Sequence, residues 1–154
     1  MKKRASRVLV VDACIARSAG ETDHPVSSVC RKALDDMLRI CHRLAWTPAI
    51  RDEWNKHASG FAWRWRAAMA ARKKIVRFSP DSIILPPDLP TAQRRAIEKD
   101  LHLIECACVA DGIILTRDDH LLAAWNACHE DLQMPKPILW INPKVDNLSN
   151  LGSS

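Results

Sequence analysis

Two aspartates follow short apolar runs, at positions where a carboxylate can take part in chemistry. Asp12 follows the run at residues 8–11, and Asp118, with Asp119 beside it, follows the run at residues 113–115. Runs of this length favour strands buried on both faces of a parallel α/β sheet, and such sheets place their chemistry at the carboxyl ends of strands. The alternative for each aspartate is helix capping, a common use of an aspartate after a strand.

Two further acids lie in segments with helical spacing. Asp100 has Ala96 one turn before it and Leu103 one turn after it, so it lies inside the apolar arc of its helix. A carboxylate there is costly unless it is paired, protonated or bound to a cation, and an ion pair with an arginine is the structural alternative. Glu53 leans toward the buried side of its helix and Asp52 toward water, although a first-turn acid also interacts favourably with the helix dipole.

Carboxylates from several elements that meet at one edge of a sheet repel one another, so a divalent cation is their natural partner. Ligation by oxygen alone suits Mg²⁺ or Mn²⁺. Such cations clamp phosphates, lower the pKa of a bound water and stabilise the charge that develops during in-line displacement. The acids Asp12, Glu53, Asp100 and Asp118 therefore predict metal-dependent chemistry on a phosphate group.

The elements that must position these acids alternate between strand and helix. Strands are predicted at residues 8–11, 112–116 and 138–141, with short extended pieces at 75–78 and 83–85. Helices are predicted over residues 24–44, from Pro48, over 91–110 with a break near Lys99, and from Leu121 to Leu132. This alternation predicts a three-layer α/β/α sandwich with a central parallel sheet. One domain is expected over residues 1–145, followed by a polar, frayed tail over residues 146–154.

A segment rich in tryptophan and arginine follows Ser59 and Gly60. Basic residues interleaved with tryptophans can grip a phosphate backbone and stack exposed bases. The alternative, which we favour for the tryptophans, is a helix whose tryptophans pack inward and whose arginines are solvated. The best electrostatic footprint for a nucleic acid consists of Arg64, Arg66, Arg72, Lys73 and Lys74.

The composition is that of a globular protein with a mild basic excess. The net charge of +5 and the pI near 9.0 are compatible with a polyanionic partner. The first apolar run is too short for a signal peptide and no stretch is long enough to span a membrane, so a cytoplasmic protein without a membrane partner is predicted. The cysteines form no Cys-x-x-Cys pair and are expected to be reduced and buried, and a zinc site at His102, Cys106 and Cys108 fits no usual spacing.

Four short blocks in this chain resemble the PIN-domain family, a nuclease fold that includes the toxin components of many prokaryotic toxin–antitoxin pairs. The blocks are Arg7-Val-Leu-Val-Val-Asp12, Thr47-Pro-Ala-Ile-Arg-Asp-Glu53, Lys99-Asp100-Leu-His-Leu-Ile-Glu-Cys-Ala107 and Ile113-Ile-Leu-Thr-Arg-Asp118. The resemblance implies a PIN-like ribonuclease whose catalytic acids Asp12, Glu53, Asp100 and Asp118 bind Mg²⁺ or Mn²⁺ and hydrolyse RNA phosphodiesters. Within that set, Asp12, Asp100 and Asp118 would hold the metal, and Glu53 would complete the site or orient the attacking water. Asp119 would be an auxiliary acid, and Thr116 would be a pocket-lining hydroxyl. We expect Asp119 to cap the helix that follows, which leaves Asp118 for the metal.

The candidate partners are RNA, an antitoxin protein and a second copy of the chain in a homodimer. Toxin members commonly carry a small hydroxyl residue where this chain has Ala13, so a stand-alone nuclease is the alternative within the family. A catalytically silent PIN-like module that binds nucleic acid or protein is the non-enzymatic alternative. A phosphatase with Asp12 as nucleophile fits less well, because Cys14 stands where a second aspartate is required. A dinucleotide-binding fold lacks its glycine-rich loop here.

Overall fold

The central element of the fold is a parallel β-sheet. The structure is a computed structural model of the 154-residue chain, and it describes residues 6–20, 22–148 and 151. The strands are β1 (Val8–Val11), β2 (Arg43–Trp46), β3 (Ile75–Arg77), β4 (Ile113–Leu115) and β5 (Leu139–Ile141). All neighbours pair in parallel, in the order β3-β2-β1-β4-β5, which confirms the predicted parallel sheet.

Helices cover both faces of this sheet. They are α1 (Ala13–Ser18), α2 (Pro25–Arg39), α3 (Pro48–His57), α4 (Gly60–Ala71), α5 (Thr91–Lys99), α6 (Leu101–Val109) and α7 (Asp119–Cys128), with a 3-10 turn at His129–Asp131. Every residue of β1 and β4 is buried, and successive strand side chains point to opposite faces, so neither face of the central strands meets solvent. The predicted three-layer α/β/α sandwich is confirmed. Within the described ranges, no helix has the length and apolar character needed to cross a membrane.

The helix predicted over residues 24–44 is shorter than expected, and its last residues belong to a strand. Helix α2 ends at Arg39, Cys41 takes a left-handed conformation with φ of 67°, and Arg43 and Leu44 are the first residues of β2. Leu44 fits the helical stripe by spacing, but it is bonded between β1 and β3. A short apolar run does not distinguish helix from buried strand, and the sheet decides it here.

The buried face of α2 includes a carboxylate. Cys30, Leu34 and Met37 are fully buried, and Asp36 beside them is only 3% exposed. Asp36 forms two ion pairs, because Lys32 Nζ lies 2.6 Å and Arg39 Nη2 lies 2.5 Å from its carboxylate oxygens.

Two later segments confirm one prediction and correct another. The long helix is broken as predicted, because Asp100 separates α5 from α6. The extended piece at residues 83–85 joins no strand, and the Ile83 N–H donates instead to Glu105 Oε2 at 2.7 Å. In the tail, Leu148 is 3% exposed and packs in the core, so the expected fraying from residue 146 is wrong at this residue. Residues 149, 150 and 152–154 lie outside the described residues.

The two tryptophans of α4 differ in how deeply they are buried. Trp65 is buried, its indole N–H donates to the Leu34 carbonyl at 2.6 Å, and its ring stacks on Trp54 with centroids 6.0 Å apart. This confirms inward packing for Trp65. Trp63 is 42% exposed, so inward packing is wrong for that residue.

Candidate functional site

A cleft at the carboxyl edge of the sheet brings together the four predicted acids. Its volume is about 150 Å³, which is room for several water molecules. Asp12 and Asp118 reach it from the ends of β1 and β4, Glu53 from α3, and Asp100 from the break between α5 and α6. The remaining wall residues are Ala13, Cys14, Arg17, His57 and Lys99.

Asp12 is held in place by hydrogen bonds to both of its carboxylate oxygens. Its Oδ1 accepts the Cys14 N–H at 3.3 Å, which makes Asp12 the N-cap of α1, and its Oδ2 accepts the Thr116 hydroxyl at 2.8 Å. Its backbone N–H donates to the Leu115 carbonyl at 2.9 Å and extends the β1–β4 pairing by one bond. The capping alternative is therefore correct for Asp12, and capping coexists with a place in the cleft wall.

Thr116 connects the two strand-end aspartates. Its side chain is buried at 3% exposure, and its hydroxyl donates to Asp12 and accepts the Asp118 N–H at 3.0 Å. The expectation of a pocket-lining hydroxyl is replaced by a bridging role behind the cleft wall. Thr116 is thus a positioning residue for both acids.

Replacing Thr116 by valine is expected to lower the free energy of unfolding by about 1–3 kcal/mol. Valine has nearly the same shape but leaves the Asp118 N–H without its acceptor and Asp12 without a donor. Urea denaturation measures the difference, and Thr116→Ser, which keeps the hydroxyl, is the matched control. Equal stability of the valine and wild-type proteins would contradict the bridge.

Asp118, not Asp119, caps the last helix. Asp118 Oδ1 accepts the Leu121 N–H at 3.0 Å, while Asp119 is the first residue of α7. The Asp119 carboxylate lies toward Asn142, whose side-chain amide donates to it at 3.4 Å. The expectation that Asp119 makes the cap is therefore wrong, and Asp118 has one oxygen in the cap and the other outside it.

Asp100 is the most unusual of the four acids. It is 8% exposed, and within the described ranges its carboxylate accepts no hydrogen bond. Burial, together with the charges of Asp12, Asp118 and Glu53, raises its pKa to about 6, and Lys99 opposes the rise. The predicted placement among apolar residues is confirmed, and among the described residues no arginine pairs with Asp100.

Glu53 lies in the cleft wall but is paired with its own helix. Its carboxylate oxygens lie 3.7 Å from His57 Nε2 and 4.0 Å from Lys56 Nζ, and the side chain is 42% exposed. Asp52 is more exposed, at 61%, so the predicted difference between the two acids holds in direction. The sequence interpretation missed His57, although its spacing of four residues from Glu53 places both on one helix face.

Two further titratable groups at the site are neutralised by burial. Burial, together with the charge of Asp12, raises the pKa of the Cys14 thiol to about 12, which disfavours Cys14 as a thiolate ligand or a nucleophile. Burial lowers the pKa of His102, while Asp12, Glu53 and Glu105 act in the opposite direction. Sulfur chemistry is thereby disfavoured here, and oxygen donors remain.

The carboxylate oxygens of the cleft suit a hard cation by their chemistry, but their spacing does not form a ready-made site. Among residues 6–20, 22–148 and 151, no three His, Cys, Asp or Glu side chains are close enough together to form a ready-made metal site. Mg²⁺, however, keeps several waters and is held by one or two carboxylates together with substrate phosphates. Asp100 and the Asp118 oxygen outside the cap are the candidates for that smaller requirement, since both residues line this cleft.

Asp100 gives the stability of the metal-free protein a defined pH dependence. Its pKa of about 6 lies above the ordinary 3.8, so the folded state binds the proton more tightly. The stabilisation is fully present below the pKa that Asp100 has in the unfolded chain, and it is lost as pH rises through about 6. The loss amounts to roughly 2–3 kcal/mol of the free energy of unfolding. Thermal unfolding from pH 4 to pH 8 measures it, and Asp100→Asn should remove this step.

Divalent metal should reverse that loss at pH 8, because it binds the ionised carboxylates of the folded state. The expected result is a rise in Tm with Mn²⁺ or Mg²⁺ for the wild type and none for Asp100→Asn. Asp52→Asn, on the exposed side of α3, is the matched control and should respond like the wild type. A metal-independent Tm in the wild type would contradict a cation site in this cleft.

The predicted basic residues do not form one patch beside the cleft. The start of α4 lies near it, because the Ser59 N–H donates to the Ala16 carbonyl at 3.0 Å. The 12 residues of α4 then run about 18 Å to the opposite edge of the sheet, where the Lys74 carbonyl accepts the Leu44 N–H at 2.8 Å. Arg72, Lys73 and Lys74 therefore lie at the amino edge, away from the acids.

No protein-family model matches the chain, and no curated protein sequence matches it. The class that the fold and the site define is a parallel α/β domain with a carboxylate-lined cleft at the carboxyl edge of its sheet.

Proposed function

We propose that this chain is a PIN-like ribonuclease that uses Mg²⁺ or Mn²⁺ to hydrolyse RNA phosphodiester bonds. The observation that supports it most strongly is the convergence of four carboxylates from distant parts of the chain on one cleft, with Asp100 buried and without a hydrogen-bond donor among the described residues. Like charges collected in this way are destabilising in the metal-free protein, and a cation removes the cost.

Each residue of the cleft has a role in this proposal. Asp12, Asp100 and Asp118 would hold the cation, which when bound lowers the pKa of a water and stabilises charge on the reacting phosphate. Glu53, oriented by His57, would orient the attacking water and accept its proton. Arg17 and Lys99, on the same wall, would bind the non-bridging phosphate oxygens.

A polymeric anion suits this site better than a small substrate. The cleft is small, about 150 Å³, which leaves little room for a whole metabolite. The chain has a net charge of +5 although four carboxylates line its cleft, so the rest of the chain is more basic than the whole. Both features favour a substrate that lies across the surface and places one phosphodiester over the acids.

The cellular setting belongs to the same proposal. A cytoplasmic location is supported by the cysteines, all six of which are free thiols. A toxin role predicts that a small DNA-binding protein encoded beside this chain binds it and suppresses cleavage. The homodimer stays a prediction, tested by measuring the mass of the protein in solution.

A catalytically silent nucleic-acid-binding or protein-binding module is the second candidate. The observation that favours it is the use of both Asp12 oxygens in hydrogen bonds within the protein, which leaves a metal fewer free donors. Such a module would bind RNA equally well with and without a chelator and would not cleave it.

Incubation of the purified chain with a labelled single-stranded RNA tests the proposal. Cleavage that requires Mn²⁺ or Mg²⁺ and stops with EDTA supports the ribonuclease, and a DNA strand of the same sequence tests the choice of substrate. Binding without cleavage under every metal condition supports the silent module and contradicts the nuclease.

A further inference from the structure

Trp63 presents an aromatic ring to solvent at the first turns of α4. Its exposure is 42%, whereas Trp46, Trp54 and Trp65, the tryptophans that cluster beneath α4, are 7%, 0% and 4% exposed. Exposing a large ring costs hydration free energy without any gain in core packing. An exposed tryptophan on an otherwise well-packed helix is therefore a feature that needs an explanation.

Arg66 supports this ring from one side. Its guanidinium carbon lies 4.0 Å from the Trp63 ring centroid and 5.1 Å from that of Trp46, which places it between the two rings. Its Nη1 donates to Asn55 Oδ1 at 3.0 Å, so the guanidinium is fixed at both ends. Arg66 therefore has a bracing role in place of the phosphate contact expected for it. The braced ring loses little further freedom when a ligand packs on it.

The chain around Trp63 is basic and lacks acids. Between residues 59 and 80 there is no aspartate or glutamate, and the basic residues there, called the basic strip, are Arg64, Arg66, Arg72, Lys73, Lys74 and Arg77. The strip follows α4 from the carboxyl edge of the sheet to the amino edge, and Arg77, at the end of β3, lies back at the carboxyl edge. Its length of roughly 18 Å along the helix matches several nucleotides of an extended strand.

The strip begins beside the acidic cleft. Ser59, which precedes α4, donates its N–H to the Ala16 carbonyl and its hydroxyl to the Ala19 carbonyl, so the start of α4 is tied to the end of α1. The first turns of α1 form part of the cleft wall. Trp63 therefore stands at the end of the strip nearer the acids, only six residues after the cleft residue His57.

We propose that Trp63 is a stacking platform for a nucleobase of single-stranded RNA, and that the basic strip carries the phosphates leading away from the cleft. The inference deepens the proposed ribonuclease function and rests on it for the identity of the substrate. An aromatic face flanked by cations is the arrangement that binds single strands without sequence preference. Arg66 is a positioning residue that holds the ring, and the phosphates meet the other cations.

A protein partner fits this surface less well than a single strand does. Stable protein interfaces centre on a buried apolar patch of substantial area, in which lysine is depleted. Among the described residues, the other large exposed apolar side chains are Ile84, Val109, Leu139 and Val145, and all lie outside α4. The exposed neighbours of Trp63 along the helix are Gly60, Arg64 and Ala67, so no large apolar side chain extends its ring into such a patch.

The test is equilibrium binding of short labelled RNA in EDTA, so that cleavage does not interfere. Trp63→Leu should weaken binding of a single strand by at least about fivefold, since one stacked base is worth about 1–3 kcal/mol. Trp63→Phe, which keeps an aromatic face, should retain most of the affinity. Leu139→Ala, which removes an exposed apolar side chain on β5, is the matched control and should bind like the wild type.

Two further arms separate stacking from charge. Duplex RNA and an abasic strand offer no free base, so Trp63→Leu should bind both as the wild type does. Arg72→Gln should lower the salt dependence of binding, whereas Trp63→Leu should leave it unchanged. Wild-type affinity of Trp63→Leu for the single strand, or an equal loss on single strand and duplex, overturns the platform.

Failure of the platform and failure of the nuclease are distinguishable. Metal-dependent cleavage by the wild type together with unchanged single-strand binding by Trp63→Leu overturns only the platform. Selective loss of single-strand binding by Trp63→Leu supports the platform even where the wild type cuts no RNA, and then only the nuclease is overturned. The platform is also overturned if Trp63→Leu loses binding to a protein and keeps the wild-type affinity for RNA.

Discussion

Replacing Asp12 or Asp118 by asparagine is expected to reduce Mn²⁺-dependent cleavage of single-stranded RNA by roughly 10²–10³-fold. Each change replaces a charged oxygen of the acidic cleft by a neutral amide. A hard cation loses both affinity and charge complementarity at such a site, and several kcal/mol of transition-state stabilisation go with it. Initial rates at saturating and subsaturating Mn²⁺ measure the loss and show whether added metal restores part of it.

Asparagine is the informative replacement because it keeps the helix caps made by both aspartates. Asp12 caps α1 and Asp118 caps α7, and asparagine caps helices about as well as aspartate does. Asp118→Asn should therefore melt close to the wild type. Asp12→Asn, whose amide nitrogen cannot accept the Thr116 hydroxyl, should melt lower, and its unfolding curve shows whether it is folded under the assay conditions. Asp52→Asn, an exposed neighbour of Glu53, should retain full activity. Full activity of either Asp12→Asn or Asp118→Asn contradicts the assignment of these acids.

Replacing Trp54 by alanine is expected to produce the largest loss of stability of any single change considered, about 3–5 kcal/mol. Trp54 is fully buried, its ring meets those of Trp46 and Trp65 at centroid distances of 5.5 and 6.0 Å, and its indole N–H donates to the Val11 carbonyl at 3.0 Å. Alanine leaves a cavity between α3, α4 and the sheet and an unpaired carbonyl next to Asp12. In a domain of this size the Tm should fall by roughly 10 °C.

Trp54→Phe separates the two contributions. Phenylalanine keeps most of the ring packing and loses the bond to Val11, so its cost should be about 1–3 kcal/mol. Trp63→Leu replaces an exposed tryptophan and should change the free energy of unfolding by only about 0.5 kcal/mol. Calorimetric or urea unfolding provides the comparison. A loss in Trp54→Ala no larger than that in Trp54→Phe contradicts the buried role of the ring.

The positions of the acids were predictable because each depends on local pattern. Asp12 and Asp118 follow buried strands, and the structure places both near the same edge because β1 and β4 are parallel neighbours. Asp100 lies among apolar residues, and both its burial and the helix break beside it were readable from helical spacing. The parallel pairing of the strands then brings these three acids to one cleft.

The errors have the opposite origin, because each depends on contacts that local pattern does not contain. The end of α2 was missed because Leu44 fits both a helical stripe and a buried strand, and only pairing with β1 and β3 decides between them. The assignment of the α7 cap to Asp119 failed by one residue, because the turn after β4 is shaped by the Thr116 hydroxyl that accepts the Asp118 N–H.

The sequence by itself determined the layered α/β fold, the strand-end aspartates and the burial of Asp100, because strand and helix periods are properties of neighbouring residues. Only the tertiary structure decided which carboxylate oxygens are used within the protein, since the Thr116 bond to Asp12 joins residues 104 positions apart. It also decided that Trp63 is exposed while Trp65 is buried and that the basic residues extend away from the acids. Those outcomes depend on which helix faces meet the sheet and its neighbouring helices, and packing settles them over the whole chain.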